Sequence, residues 1–199
     1  MSFPVQPGGT SVVASLDDGA STLHGELAQP LTATDHIRST LHSELLVADA
    51  SCPHIRALLD GCQAPVLWLR GDQHPLLAIS QALAERTLKG RASIQTLHWV
   101  SHGSPGQLHI GDRSITTAAL IAHAQQLKNW GIKDLAIWSC SVGSDPTFIS
   151  VLEELTGATV WASDKPLGRL DDGSRHWQLT NALKPKARSL PINASRLLA

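Results

Sequence analysis

Five apolar runs recur along this chain and constrain its fold more than any other feature: LLVAD (45–49), PVLWLR (65–70), SIQTLHWVS (93–101), DLAIWSC (134–140) and ATVWAS (158–163). They are continuously apolar rather than alternating apolar with polar. A strand of that kind buries both of its faces, as strands do in a parallel sheet covered by helices on each side. The segments between the runs supply the helices. PHIRALLDG (53–61) opens on Pro53 and closes on Gly61. PLLAISQALAERTLKG (75–90) carries a stripe of Leu76, Ile79, Leu83 and Leu88 between Pro75 and Gly90. TAALIAHAQQLKNWG (117–131) turns Leu120, Ile121, Ala124 and Leu127 inward and stops at Gly131. DPTFISVLEELTG (145–157) has Asp145 as N-cap, Pro146 in the first turn and Gly157 at its end. Proline at the start and glycine past the end are the expected helix punctuation. Two smaller features complete the pattern: a hairpin over GQLHIGDRSIT (106–116), and a sixth, edge strand at RHWQLT (175–180).

Strands alternating with helices predict an α/β fold: a three-layer α/β/α sandwich around a mostly parallel sheet of about five or six strands. The 199 residues, 42% hydrophobic, suit one domain with flanking segments. Residues 1–43 are rich in Ser, Thr, Gly, Pro and Ala and read as a flexible leader. The α/β domain spans 44–180, and 181–199 reads as a C-terminal tail.

Composition excludes several classes of function. A formal net charge of -1, without a long basic run, argues against nucleic-acid binding and against attraction to anionic membranes. No apolar stretch approaches the ~20 residues that cross a bilayer. The opening MSFPVQPGGTSVVASLDDG has no basic segment before an apolar core, so no classical secretory signal is expected. Three cysteines, Cys52, Cys62 and Cys140, are an odd number and leave at least one free thiol. Cys52 and Cys62 flank one short helix and are the pair that could join. The ten histidines show no metal spacing, so neither a metal nor another cofactor is expected. The six tryptophans fall within strands or at helix ends, where core packing is the default.

The chemistry concentrates at two strand ends. Binding sites of open α/β sheets lie beyond the carboxyl ends of the strands. His102 follows one apolar run and enters the small-residue loop GSPG; Cys140 ends another and enters SVGSD. If their strands are neighbours, roughly 5 Å apart, the two side chains face each other. They would then form a nucleophile and base pair, Cys140 attacking and His102 protonating the leaving amine. The backbone amides of Gly103 and Cys140 are placed to hold an oxyanion, and a glycine allows the close approach. Ser104 in HGSPG is a poor nucleophile, because the first glycine of a G-x-S-x-G elbow is replaced by His102.

Beyond those two residues, the longer pattern is familiar. An apolar strand ending in SHG, followed by one ending in Cys, resembles the caspase-like cysteine peptidases. The stretches LLVADASCPHIRALLDG, IQTLHWVSHGSPGQLHIGD, LKNWGIKDLAIWSCSVGSDPTFISVLEELTGATVWASDKPLG and HWQLT, within 44–180, resemble a bacterial domain family of unassigned function. That family occurs in large cyanobacterial and proteobacterial surface or exported repeat proteins. The resemblance implies a caspase-like sandwich with His102 and Cys140 as a catalytic dyad and Gly103 as an oxyanion donor. It further implies a bacterial protein, cytoplasmic or exported without a classical signal, acting on a polypeptide substrate or binding a partner protein. The family pattern around the cysteine resembles Tyr-Gly-Cys-Asn-Val-Ala, where this chain has WSCSVG. Asp49, at the end of the first strand, stands where clan members that cleave after Arg or Lys carry an acidic residue. A helix-side cap is its alternative role. Asp171 and Asp172 are weaker candidates for the same task. The expected function is a cysteine endopeptidase. The alternatives are a catalytically inactive binding or assembly module on the same fold, and an acyl-transfer enzyme using the same pair. Oligomeric state is left open.

Overall fold

A computed structural model describes residues 43–169, 173–181 and 184–188, all within one compact unit. Its centre is a five-stranded parallel sheet in the order β2-β1-β3-β7-β8. The strands are β1 (Glu44–Asp49), β2 (Val66–Leu69), β3 (Thr96–Val100), β7 (Asp134–Trp138) and β8 (Thr159–Trp161). All five apolar runs became its strands; β1 begins one residue before its run, at Glu44, and the other four strands are shorter than theirs.

Both faces are buried, and alternate residues divide between them. Leu45 and Val47 of β1, Leu97 and Trp99 of β3, and Leu135 and Ile137 of β7 join one apolar cluster. Leu46, Ala48, Val100, Ala136 and Trp138 join the other. Four helices cover the first face: α2 (Pro75–Leu88), α3 (Thr117–Ala122), α4 (Ala124–Lys128) and α5 (Pro146–Thr156). Among the described residues, a single helix, α1 (Pro53–Leu59), covers the second, with Leu167, Trp177 and Leu179 beside it. The sandwich therefore has three layers, one heavy and one light. Arg56 anchors α1: its Nε donates to the Ala50 carbonyl at 2.9 Å, and its guanidinium lies 5.0 Å from the Trp68 ring centre.

The helix ends are chemically explicit. Asp145 accepts hydrogen bonds from the Thr147 and Phe148 amides at 2.9 and 3.2 Å and so caps α5. Gly157 ends the helix at φ 68°, in the left-handed region. The helix expected over 117–131 is instead two, α3 and α4, broken at His123. There the Nδ1–H donates to the Ala119 carbonyl at 2.9 Å, and the ring stacks on His74 at 4.0 Å.

Two expectations change in detail. The hairpin is a three-stranded antiparallel meander of β4 (His102–Ser104), β5 (Gln107–Ile110) and β6 (Arg113–Ile115). Of the residues read as a loop after His102, Gly103 and Ser104 belong to a strand, and Pro105 and Gly106 form the turn. The sixth strand is in pieces: β10 (Arg175–His176) pairs with β9 (Gly168–Arg169), and β11 (Leu179–Asn181) with β12 (Lys184–Arg188). Thr180 and Ala162 exchange backbone bonds at 2.9 and 3.0 Å, which ties β11 to the edge of the main sheet. No helix among the described residues is long and apolar enough to cross a membrane.

Candidate functional site

The sheet order places a crevice where chemistry can occur. The chain runs from β1 outward to β2, then returns across to β3, β7 and β8. The reversal leaves a crevice at the carboxyl ends of β1 and β3, the usual ligand position in such sheets. Three strand ends open onto it: Cys52 beyond β1, His102 beyond β3 and Cys140 beyond β7.

Register brings the last two together. Strands β3 and β7 pair in parallel, with Val100 opposite Trp138. One step on stand Ser101 and Ser139, and one further His102 and Cys140. The two serines are buried and their hydroxyls lie 3.0 Å apart. The Ser101 hydroxyl donates to the His102 carbonyl at 3.0 Å. A hydroxyl has one proton to give, so Ser139 is the donor to Ser101. This chain of bonds stitches the two strand ends directly beneath the histidine and the cysteine.

Gly103 brings the meander against the same loop. A side-chain carbon there would meet Val142 Cγ2 at 2.6 Å and Ser139 Cβ at 2.8 Å, so β4 can lie where it does only without one. Gly106 serves the next turn at φ 65°, where its missing side chain leaves room for the Asp145 carboxylate. The loop after Cys140 is held on its other side. The Ser141 amide donates to Lys165 O at 3.0 Å, and Gly143 to Ser163 O at 2.9 Å. Ser141 itself is at φ 57°, the one non-glycine residue with positive φ among those described. Such backbone is uncommon and marks a sharp, over-determined turn.

The three site side chains have distinct partners. Half-buried Cys140 receives the Leu167 amide on its sulfur at 3.3 Å. His102 is exposed, and its Nε2 lies 3.3 Å from the sulfur of Cys52, which is buried at the N-cap of α1. His102 and Cys140 line one cavity but share no hydrogen bond among the described residues. That cavity, of about 260 Å³, lies on the lightly covered face between α1 and the side chains of Leu167 and Trp177.

Asp49 has a different place. It is 3% exposed; Oδ1 accepts from the Ser51 amide at 2.8 Å and hydroxyl at 2.6 Å, and Oδ2 from the Gly111 amide at 3.1 Å. Both oxygens are thus occupied, and the carboxylate joins the end of β1 to the β5–β6 turn. It is not among the residues that line the cavity. Asp171 and Asp172 lie outside the described residues. All three cysteines are free thiols. Burial pushes the Cys62 thiol up, and nearby Glu44 acts in the same sense; a hydrogen bond with the Ala64 backbone opposes them. No group of three His, Cys, Asp or Glu side chains among the described residues could hold a metal ion.

Reading the sequence alone missed Cys52 and the two serines as site residues. The serines had a signal: each directly precedes a candidate residue, in WVSH and IWSC. Cys52 stands three residues past the first run, where the sequence shows it only as a flank of α1.

A family profile matches residues 45–199, described as a domain of unknown function, DUF4347. The chain belongs to that family. No curated protein matches the chain, and no solved structure does. The family match begins at β1 and runs through β12, so it covers every strand and helix described above.

Proposed function

We propose that this family member is a cysteine-type hydrolase acting on polypeptides, built on a caspase-like fold, with Cys140 as nucleophile and His102 as proton carrier. One observation supports it above others: His102 and Cys140 occupy matching positions beyond neighbouring parallel strands and line a single cavity. In the reaction His102 takes the Cys140 proton as the sulfur forms a bond to the scissile carbonyl carbon. The C–N bond then breaks, and His102 gives that proton to the departing amine. Water attacks the thioester next, losing a proton to His102, which returns it to the sulfur as the acid leaves. The amides of Gly103 and Cys140 are the proposed oxyanion donors. Catalysis requires the His102 ring to turn from Cys52 to Cys140, which its exposed position allows; catalytic hydrogen bonds commonly tighten only when substrate binds.

The 3.3 Å contact between His102 and Cys52 favours a second assignment in the same class, with Cys52 as the thiol that His102 serves. Alkylation by iodoacetamide at neutral pH, followed at each cysteine by mass spectrometry, separates the two. Cys140 is expected to react fastest and to slow at least tenfold in His102→Ala, with Cys62 the slow internal reference. Fast, histidine-dependent labelling of Cys52 would transfer the nucleophile's role to it. Equal rates at all three thiols, with no peptide cut from a diverse pool that Cys140→Ala also leaves intact, would overturn the hydrolase and leave a binding module.

A further inference from the structure

We infer that the cavity beside the two thiols is a subsite for an apolar substrate side chain of leucine or phenylalanine size, an inference that rests on the hydrolase reading above. Its walls are Ile55 and Leu58 of α1, Val100 and Trp138 of the sheet, and Leu167 and Trp177 opposite. Leu58, Leu167 and Trp177 are only half-buried, so apolar surface stays open to solvent directly beside Cys140. The indole N–H of Trp138 is already spent on His98 Nδ1 at 3.1 Å, which leaves its ring as plain apolar wall.

Among the described residues no Asp, Glu, Lys or Arg lines the cavity; its polar lining is Cys52, His54, Ser101, His102, Ser139 and Cys140. An arginine or lysine side chain would find no counter-charge among these residues, and a carboxylate only the imidazoles of His54 and His102 at the rim of an otherwise apolar wall. The one acidic candidate that lies within the described residues, Asp49, is closed off by three hydrogen bonds. Burying an unpaired charge is strongly unfavourable, whereas an apolar group gains from leaving water. Size agrees as well. An apolar cavity of about 150 Å³ holds a benzene ring, and this one is about 260 Å³.

The test uses four peptidyl chloromethyl ketones identical except for Leu, Phe, Arg or Asp beside the warhead. Labelling of Cys140 is followed by mass spectrometry, with chloroacetamide as the reagent that needs no subsite. The Leu and Phe reagents are expected to react about tenfold to a hundredfold faster than the Arg and Asp ones. Leu58→Asn and Trp177→Ala, at two separate walls, should each erode that preference when every ketone rate is taken as a ratio to the chloroacetamide rate of the same variant. Fastest labelling by the Arg or Asp reagent would overturn the subsite. A second readout does not need a reactive Cys140: N-acetyl-leucinamide, but not N-acetyl-argininamide, should slow iodoacetamide alkylation of Cys140 and Cys52. Such protection with no selectivity among the ketones would sink the hydrolase reading and keep the apolar subsite. Equal ketone rates together with no protection would remove the subsite itself.

Discussion

At Gly103 an absent side chain sets the distance between two halves of the site. Its role as an oxyanion donor is a proposal; its packing against Ser139 and Val142 follows from distances of 2.8 and 2.6 Å to the carbon it lacks. Gly103→Ala must therefore push β4 away from the Cys140 loop. The expected cost is about 1–3 kcal/mol, as for other overpacked positions, read by urea denaturation. His102 and Cys140 are legible from sequence because each follows an apolar run directly. Cys52 is legible only as a flank of α1, near Cys62. What sets it beside His102 is the pairing of β1 with β3, a long-range choice that local spacing does not encode. Asp49 illustrates the opposite trap: an acidic residue at a strand end looks like a binding group until its hydrogen bonds are counted.

Among the elements, α5 is the one whose ends were most plainly written in the sequence. Asp145, Pro146 and Gly157 each perform the task their chemistry suggests. Asp145→Ala removes the acceptor for two amides and should cost about 0.5–2 kcal/mol, again from urea midpoints. Asp145→Asn, which can still cap, should recover most of that loss. The break between α3 and α4 was not legible. Its apolar stripe continues through His123, and the interruption comes from a ring that bonds Ala119 and stacks on His74, far away in sequence. Strand β4 was hidden for a related reason. Its three residues, His102–Ser104, have the composition of a loop, and only pairing with β5 makes them a strand.

Across the whole molecule, the parallel sheet and its layers could be read from unbroken apolar runs, but the strand order and the unequal cover could not. Periodicity reports that a strand is buried on both faces and says nothing about which neighbours bury it. One pH dependence belongs at this scale, because it joins α2 to the α3–α4 break. His74 is held below its ordinary value of 6.5, first by burial and then by His123 and Arg113. The unfolded chain then binds a proton more readily than the folded one. Stability from this group is complete above about 6.5 and is lost as pH falls towards the depressed folded value. Urea unfolding between pH 7.5 and 5 should show that decline, and His74→Gln should flatten it.

The reversal at β1 also bears on how the chain is made. A ribosome delivers β1, α1 and β2 first, yet Ile55 and Leu59 of α1 pack in a cluster with Val100, Ala136 and Trp138. The later-made part of that surface emerges only with β3 and β7, so the nascent α1 carries its apolar stripe without its full seat while some eighty further residues are added. Exposed apolar surface of this kind is what chaperones bind and what aggregates when they are absent. The layer that shelters the thiols is thus begun early and finished late.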